Sequence, residues 1–445
     1  MSAARLAYNC VILLLAPLLI LYYGGVCWLR GKYRASWAQR LGRLPASIAA
    51  AAADARHGGS RPIWIHAVSV GELEAITPLV VALGTRFPAR TILLSTATET
   101  AQGLAARKRL TPHVFYFPLD LPVVAARFVR LLQPELIILT ETELWPNLIA
   151  AAAKHRARLA LVNARISDRS FRGYLRCRPL VAEMLGQFSV VAAQTELDAG
   201  RLRSLGAPAA VVTVTGNLKF DAIAVQFAQR APGTTESSRE ALRLAPEDRL
   251  WVAGSTHPGE EELLLAAHRH VLAARPRVCL LLAPRHIERA PEVLRIAQGA
   301  GFAAVLRTRL RDADFSRSQQ SGAVIVLDTI GELSQFYGAA EVAFIGGSLV
   351  AWGGHNPLEA LVHGVPVLFG PYTRNFREIV RLVIRSGSGQ ETSAAALGQS
   401  LAVLFDDQAA RCATGQRGRD LIRAHEGAAL KSLALLVPLV DPGHG

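Results

Sequence analysis

Three glutamates in the first half of the chain could perform acid–base chemistry, because each follows a short apolar segment of the kind that forms a buried strand. Glu72 lies in Ser69-Val70-Gly71-Glu72, and Glu141 and Glu143 lie in Glu141-Thr142-Glu143-Leu144-Trp145-Pro146. A carboxylate whose pKa is raised towards neutrality by burial can take a proton from a hydroxyl group. Ser69 and Glu72 also match a helix capping box, so a purely structural role for Glu72 is equally open. For Glu141 and Glu143 the alternative is plain exposure to solvent.

The second half of the chain carries a glycine-rich turn, Gly353-Gly354-His355-Asn356-Pro357-Leu358-Glu359. It follows an apolar segment, 342–345, that ends in Gly346-Gly347-Ser348. Asn356 suits an N-cap and Pro357 a first helical position, which predicts a helix with free N–H groups directly after the glycines. Such a helix start typically holds a phosphate in α/β proteins. A simple capping box formed by Asn356 and Glu359 is the alternative, but glycines on both sides favour a nucleotide or phosphate site.

Polar or cationic side chains follow most of the other apolar segments. Arg165, Lys219 and Arg285 could pair with phosphate or carboxylate groups, although a lone arginine is more often an ordinary surface residue. His286 is equally compatible with a structural role. The remaining polar residues at these positions are Ser255, Thr256 and Asn375.

The elements that position these side chains are predicted to be parallel strands that alternate with helices. The predicted strands are 63–68, 91–96, 114–117, 136–140, 159–162, 190–194, 211–215, 250–253, 278–283, 303–306, 324–327, 342–345 and 367–369. Strands at this spacing predict βαβ units and an α/β fold of two doubly wound domains. Ligands of such folds lie beyond the carboxyl ends of the strands, so a cleft between the two domains is the expected site. The predicted divisions are 1–45, 46–228, 229–248 as a linker, 249–425, and 426–445 as a C-terminal helix or tail.

The composition narrows the class of partner. The 445 residues carry a formal net charge of +14, which favours anionic partners such as phosphates or acidic lipids. Nucleic acid is the weaker choice, because the arginines are spread along the chain and not interleaved with aromatic residues. The five cysteines show no paired spacing, and we find no metal-binding motif of the His-Glu-x-x-His kind. We therefore expect neither a bound metal nor a cofactor.

The N-terminal segment is the most apolar part of the chain. No charged residue lies between Arg5 and Arg30, and about 24 helical residues reach roughly 36 Å, which exceeds a hydrocarbon core of about 30 Å. Basic residues follow at Arg30, Lys32 and Arg34, which predicts that the rest of the chain lies in the cytoplasm. The expectation is a single-pass anchor, with a helix lying deep in the membrane surface as the other possibility.

In this order, the motifs resemble the 3-deoxy-D-manno-octulosonic acid (Kdo) transferase family of lipopolysaccharide synthesis, from the N-terminal segment to about residue 390. The matching motifs are 69–72, 141–146, Val162-Asn163-Ala164-Arg165, Gly216-Asn217-Leu218-Lys219, Gly254-Ser255-Thr256-His257, Pro284-Arg285-His286 and 353–359. The resemblance implies a GT-B fold, in which two Rossmann-like domains face a cleft. It also implies transfer of Kdo from CMP-Kdo to the 6′-hydroxyl of a lipid A precursor, with inversion and without a metal, at the cytoplasmic face of the bacterial inner membrane.

The resemblance also implies roles for individual residues. Glu72 would be the general base, and at least one of Glu141 and Glu143 would be essential. Ser69, Gly71, Arg165 and Lys219 would bind the acceptor. Glu359 would contact the ribose of the donor, and the other donor-binding residues would be Ser255, Thr256, Arg285, His286, Gly346, Gly347, Ser348, Gly353, Gly354, His355, Asn356 and Asn375.

Two other classes of function remain open at this stage. Another GT-B transferase or an epimerase would use a UDP sugar, and competition by CMP but not UDP would separate it from a Kdo transferase. A membrane-anchored nucleotide-binding scaffold without turnover is the other alternative, although a scaffold has no use for glutamates at strand ends. The residues considered do not predict an oligomeric state, an acyl-chain preference or the number of Kdo groups transferred.

Overall fold

The computed structural model describes residues 2–30, 34–229, 234–310 and 322–441. They form two compact units, Met1–Ala222 together with His425–Gly445, and Ile223–Ala424. The division falls inside a helix, Leu218–Ala228, which precedes the segment 229–248 that we predicted as a linker. The last described helix, Ala428–Val440, belongs to the first unit.

The first unit contains a seven-stranded parallel sheet with the strand order β3-β2-β1-β4-β5-β6-β7. Its strands are β1 (Ile63–Ala67), β2 (Ile92–Thr96), β3 (His113–Tyr116), β4 (Leu136–Thr140), β5 (Arg158–Ala164), β6 (Val190–Ala193) and β7 (Val212–Val214). All five residues of β1, β2 and β4 are buried, as expected for a parallel sheet covered on both faces. The central position of β1, between β2 and β4, brings the segments after β1 and β4 to the same edge.

Helices cover both faces of this sheet. They are α1 (Ala3–Arg30), α2 (Arg34–Arg40), α3 (Ala46–His57), α4 (Val70–Arg86), α5 (Glu99–Lys108), α6 (Pro122–Leu132), α7 (Pro146–Lys154), α8 (Asp168–Arg176), α9 (Arg178–Leu185), α10 (Glu196–Leu205) and α11 (Leu218–Ala228), with a 3₁₀ turn at Ala209–Val211. Helix α6 illustrates the packing rule, because Val124, Phe128 and Leu132 recur every four residues on its buried face. Pro146 and Pro122 each stand at the first turn of their helices, where the missing N–H is harmless.

The second unit contains another seven-stranded parallel sheet, with the order β10-β11-β9-β8-β12-β13-β14. Its strands are β8 (Arg249–Thr256), β9 (Val278–Pro284), β10 (Ala304–Leu306), β11 (Val324–Val326), β12 (Val342–Ile345), β13 (Val367–Phe369) and β14 (Gly389–Glu391). Every segment predicted to be a strand overlaps an observed strand in one of the two sheets. Strand β14 was not predicted, because its sequence, Gly-Gln-Glu, has no apolar residue and two of its three residues are exposed.

The helices of the second unit are α12 (Thr234–Ala241), α13 (Glu261–Leu272), α14 (Ala290–Gly299), α15 (Leu333–Ala339), α16 (Leu358–Leu361), α17 (Arg377–Ser386), α18 (Leu397–Asp406) and α19 (Gln408–His425), with 3₁₀ turns at Ile287–Arg289 and Arg307–Arg309. Helix α20 (Ala428–Val440) then packs against α4 of the first unit. Asp221 fixes its start, since its carboxylate accepts hydrogen bonds from the N–H groups of Gly427, Ala428 and Ala429. Helix α20 therefore completes the first unit, although it follows the second unit in the chain.

The membrane-spanning anchor is not confirmed. Within the described ranges, none of the helices combines the length and the apolar character needed to cross a membrane.

Candidate active site

The Glu72 carboxylate is held in a fixed orientation at the carboxyl edge of the first sheet. Ser69 is the N-cap of α4, and its hydroxyl oxygen accepts from the Glu72 N–H at 3.4 Å. The Ser69 hydroxyl lies 3.1 Å from one carboxylate oxygen of Glu72, and the Val68 N–H donates to the other at 3.0 Å. The capping box considered as the structural alternative is therefore present.

Thr140 gives Glu72 a further contact that a capping box does not require. Its hydroxyl, at the end of β4, donates to the Glu72 carboxylate at 2.7 Å. Burial raises the pKa of Glu72, while the Thr140 hydrogen bond opposes the increase and the nearby Glu141 adds to it. The arrangement provides a partly buried, well-oriented carboxylate with greater basicity than an exposed glutamate. A Cβ atom at Gly71 would meet only the Ser69 hydroxyl oxygen, at 4.0 Å, so close packing does not require glycine at this position.

Glu141 is an ion-paired carboxylate. One of its oxygens lies 3.2 Å from Nε of Arg165, and the other lies 3.8 Å from Nζ of Lys219. Burial lowers the pKa of Lys219, and the charge of Glu141 opposes that decrease. Glu141 also has a φ of 51°, a left-handed conformation that non-glycine residues adopt at an energetic penalty and that recurs at functional sites. The three residues form a charged group at the ends of β4, β5 and β7.

Glu143 has a different environment from Glu141. The indole N–H of Trp145 donates to its carboxylate at 2.9 Å. In the part of the chain that the structure describes, no cation forms an ion pair with it. Burial raises the pKa of Glu143 to about 7, and the neighbouring carboxylates of Glu72 and Glu141 contribute to the increase. Glu143 therefore exchanges a proton near neutral pH.

Two residues that we did not predict as site residues support this cluster. One is Thr140, described above, and the other is Asn163, whose side-chain oxygen accepts from the Leu218 N–H at 3.1 Å. This contact fixes the start of α11, where Lys219 lies. Asn163 has a φ of 53°. An asparagine directly after a buried apolar strand could have signalled such a conformation, because asparagine tolerates the left-handed region better than most residues.

In the second unit, the glycines around β12 are required by close backbone contacts. A Cβ atom at Gly346 would lie 2.5 Å from the carbonyl oxygen of Ser255, and one at Gly353 would lie 2.7 Å from the side-chain nitrogen of Asn375. Gly347, Gly353 and Gly354 also have positive φ values of 66°, 101° and 73°. Asn375 braces the turn, since its N–H donates to the Gly353 carbonyl at 2.9 Å.

The backbone N–H groups after β12 are already bonded to a protein carboxylate. Glu260 accepts from Gly347 at 2.6 Å, from Ser348 at 3.0 Å and from Leu349 at 2.9 Å. It also accepts from the His257 N–H at 3.0 Å, and it has no exposed surface. The N–H groups of Gly347 and Ser348, which lie in the segment predicted to bind the donor, therefore face Glu260. Sequence analysis did not identify Glu260 as a site residue.

The predicted helix start at Asn356 is shifted and short. Helix α16 begins at Leu358 and has four residues, and Pro357 occupies the N-cap position. The Asn356 side chain accepts from the Leu358 N–H at 3.2 Å. Glu359 lies close enough to the buried Tyr337 to raise the pKa of that phenol, after the larger effect of burial.

Histidines gather beside the glycine turn. The Nε2 atoms of His257 and His355 are 2.9 Å apart, and their rings are within 4° of parallel with centroids 5.1 Å apart. This geometry fits two coplanar rings that share one proton between their nitrogens. The pKa of His355 is lowered to about 4, mainly by burial and in addition by the nearby His257 and Arg285. The ring of Trp352, which is 54% exposed, stacks on His257 at 4.5 Å.

The other predicted donor residues divide into exposed and buried groups. Arg285 and His286 are exposed, and the His286 ring meets that of His257 edge-on at 6.1 Å. Thr256 is completely buried, and its hydroxyl donates to Glu261 at 2.9 Å. Ser255 has a φ of 59° and packs its backbone close to Gly346. Arg285 and His286 are thus accessible to a ligand, whereas Thr256 has a structural contact.

The described ranges contain no candidate metal site. No group of three or more histidine, cysteine, aspartate or glutamate side chains there could hold a metal ion.

Comparison with known proteins identifies the family. Residues 35–222 match the family model described as 3-deoxy-D-manno-octulosonic-acid transferase (kdotransferase). The chain is 34% identical to a 3-deoxy-D-manno-octulosonic acid transferase of Haemophilus influenzae, over 98% of this chain and 99% of the relative. It is 35% identical to the transferase of the same description from Bordetella pertussis, over 95% of this chain and 96% of that protein.

Among solved structures, the UDP-GlcNAc 2-epimerase of Neisseria meningitidis bound to UDP-GlcNAc matches with a TM-score of 0.56 and 14% identity, covering 86% of this chain and all of that one. At this level of identity the likeness concerns only the α/β fold. The similarity to the two transferases, in contrast, extends over nearly the whole length of both proteins. The chain belongs to the 3-deoxy-D-manno-octulosonic acid (Kdo) transferase family.

Proposed function

We propose that this protein transfers Kdo from CMP-Kdo to the 6′-hydroxyl of a lipid A precursor, with inversion at the anomeric carbon and with Glu72 as the general base. Family membership supports the type of reaction. The observation that carries the assignment of the base is the fixed carboxylate of Glu72, which Ser69, the Val68 N–H and Thr140 orient at the carboxyl edge of the sheet.

In this reaction the acceptor hydroxyl attacks the anomeric carbon while the bond from that carbon to the CMP phosphate breaks. The hydroxyl proton passes to Glu72. Burial raises the pKa of this carboxyl group, and a higher pKa makes its ionised form a more effective base. The hydrogen bond from Thr140 fixes the position of one carboxylate oxygen of Glu72. Because the carboxylate is planar, the direction of its second oxygen is then fixed as well.

Glu143 supplies a second carboxyl group that exchanges a proton near neutrality. Two neighbouring carboxylates resist simultaneous ionisation, because each charge raises the pKa of the other group. When Glu143 holds the proton, Glu72 remains ionised and available as the base. Glu141 has a different part in this proposal, since its ion pairs with Arg165 and Lys219 place two cations beside an acidic acceptor.

On the donor side, Arg285 is the cation proposed to stabilise the charge that develops on the departing CMP phosphate. A guanidinium group matches phosphate geometry and remains charged at all relevant pH values. The glycine turn from Gly353 to Glu359 allows close approach of the nucleotide. Gly347 and Ser348 shape the donor loop in this proposal, because their N–H groups are directed at Glu260.

Helix α1 is proposed to bring the enzyme to the cytoplasmic face of the inner membrane, where an amphiphilic acceptor resides. Among its described residues, the large exposed apolar side chains are Leu6, Val11, Leu13, Leu14, Leu15, Leu18 and Leu21. The start of the same helix contacts the folded unit, with Arg5 lying 3.6 Å from Glu183 and the Tyr8 hydroxyl 3.0 Å from Asp120. Since these contacts hold the first turns against the folded unit, we propose that α1 lies along the membrane surface and does not cross it as a single-pass anchor.

The test of this function is a transfer assay with the Glu72→Gln variant. Purified protein receives CMP-Kdo and a tetraacylated lipid A precursor in detergent, and the acceptor mass is followed. Glutamine is nearly isosteric but cannot accept the proton, so we expect kcat to fall at least about 100-fold, as for loss of a general base. Binding of CMP, measured by calorimetry, should stay within about twofold because Glu72 belongs to the other unit.

Glu74→Gln is the matched control, since Glu74 lies on the same helix and pairs with Lys108. It should retain the activity of the unaltered protein. Normal turnover by Glu72→Gln would refute the assignment of the base while leaving the transfer reaction intact. Failure of the unaltered protein to add Kdo, or competition by UDP in place of CMP, would refute the proposed reaction itself.

A further inference from the structure

A buried carboxylate connects helix α1 with the start of α7. Asp120, in the loop between β3 and α6, is only 5% exposed. Its carboxylate accepts from the N–H groups of Asn147 at 3.0 Å and Leu148 at 2.8 Å, and from the hydroxyl of Tyr8 at 3.0 Å. Three donors therefore converge on one acidic side chain.

The side chain of Asn147 extends this connection. Its amide nitrogen donates to the Asp120 carbonyl at 2.7 Å and to the side-chain oxygen of Asn9 at 2.8 Å. Asn9 and Asn147 are both buried. Helix α1, which is otherwise strongly apolar, thus directs two polar side chains, Tyr8 and Asn9, into the folded unit.

The start of α7 depends on these contacts because it has no cap of its own. Its N-cap residue is Trp145, which makes no side-chain capping bond, and the N–H groups in the first helical turn require acceptors. Asp120 supplies that acceptor from outside the helix. Trp145 in turn donates its indole N–H to Glu143 and packs against Phe117 at 5.5 Å. A continuous series of contacts therefore leads from α1 to Glu143.

We propose that Tyr8, Asn9 and Asp120 are positioning residues for the transfer reaction, which hold the start of α7 so that Trp145 keeps Glu143 beside Glu72. This inference rests on the proposed function, in which Glu143 shares a proton with the base. It assigns α1 a second role in addition to membrane contact. Membrane contact requires the exposed leucines, but it does not require a tyrosine bonded to Asp120 or a buried asparagine bonded to Asn147.

The first measurement is hydrogen exchange in the segment that contains Asn147 and Leu148, which needs no substrate. Tyr8→Phe removes one donor to Asp120 and keeps the ring, so the amides of α7's first turn should exchange faster than in the unaltered protein. Cys10→Ala is the matched control, because Cys10 is exposed on the same helix. Unchanged exchange in Tyr8→Phe would show that α1 does not hold the start of α7, whatever the reaction of the enzyme.

The second measurement is a double-mutant cycle in the detergent assay, where membrane binding is not needed. Tyr8→Phe should lower kcat about tenfold, the equivalent of one hydrogen bond to a charged group, with little change in the KM for CMP-Kdo. If Tyr8 acts through Glu143, the same substitution should have almost no further effect in a Glu143→Gln background. Asn9→Ala serves as a second, independent variant.

The outcomes separate the inference from the proposed function. Equal effects of Tyr8→Phe in both backgrounds, or a full kcat despite faster exchange, would overturn the positioning role while leaving Kdo transfer established. A fall in the activity of Tyr8→Phe with the acceptor in phospholipid vesicles, but not with the acceptor in detergent, would show that α1 contributes only through the membrane. If the unaltered protein transfers no Kdo at all, the proposed function fails, and hydrogen exchange still tests the structural connection.

Discussion

The hydrogen bond from Trp145 to Glu143 offers the sharpest test of the electrostatics of the carboxylate cluster. The pKa of Glu143 is raised to about 7, chiefly by burial, and the indole N–H opposes this increase because it stabilises the ionised form. Trp145→Phe removes the N–H and keeps an aromatic ring to pack against Phe117. We therefore expect the pKa of Glu143 to rise above about 7.

The magnitude follows from the strength of the lost bond. A hydrogen bond to a charged group contributes about 1.5–3 kcal/mol, and Glu143 is partly exposed, so the lower end of that range applies. Since one pKa unit corresponds to about 1.4 kcal/mol, the expected increase is about one unit. The folded-state pKa of this carboxyl group already lies above its ordinary value of 4.5, so its contribution makes the protein less stable as the pH rises towards about 7. The substitution should enlarge that loss at about pH 8 by about 1 kcal/mol relative to about pH 5.

Two assays test this prediction. The carboxyl carbon of Glu143, labelled with carbon-13, should titrate about one unit higher in Trp145→Phe than in the unaltered protein. The acid limb of the kcat profile should move in the same direction, because the two neighbouring carboxyl groups titrate as a coupled pair. The control is Trp251→Phe, the same substitution at a position in the second unit. It should leave the titration of Glu143 unchanged. A midpoint that stays constant or falls in Trp145→Phe would refute the reasoning.

Two further substitutions test other buried charges. Glu141→Gln leaves the ammonium group of Lys219 without its neighbouring carboxylate, and should lower the free energy of unfolding at neutral pH by about 2 kcal/mol, with partial recovery as the pH rises and the lysine loses its charge. Urea denaturation measures this loss, which the exposed Glu196→Gln should not produce. Glu260→Gln places an amide NH₂ group opposite backbone N–H donors, and should lower the unfolding free energy by about 3 kcal/mol and weaken CMP binding. Glu262→Gln, an exposed neighbour, is its control, and equal stability of the two variants would contradict the role given to Glu260.

The first carboxylate cluster was largely predictable, and its internal roles were not. Glu72, Glu141 and Glu143 each follow a central strand of a parallel sheet, and the carboxyl ends of such strands meet at one edge. Which carboxylate pairs with cations depends on Arg165 and Lys219, which come from other strand ends. The proximity of these side chains is set by the order of the strands, which the sequence pattern does not specify.

The donor side shows where local patterns mislead. The glycines after β12 suggested a nucleotide or phosphate site, but Glu260, 87 residues earlier in the chain than Gly347, accepts hydrogen bonds from the N–H groups of this loop. A helix does begin close to Asn356, but it starts at Leu358 and has only four residues. A glycine pattern indicates that the backbone turns sharply, but it does not indicate which group accepts the hydrogen bonds of the N–H groups in the turn.

The sequence by itself determined the parallel α/β architecture, the approximate bounds of nearly every strand, and the motifs that identify the family. These features are local, because a strand buried on both faces is a continuous apolar segment and the segment after it carries the polar groups. Only the tertiary structure decided that Thr140 donates to Glu72, that Glu260 binds the loop after β12, and that Tyr8 and Asn9 contact Asp120 and Asn147 respectively. Each of these contacts joins residues far apart in the chain, and their meeting depends on how the elements pack, which local periodicity does not encode.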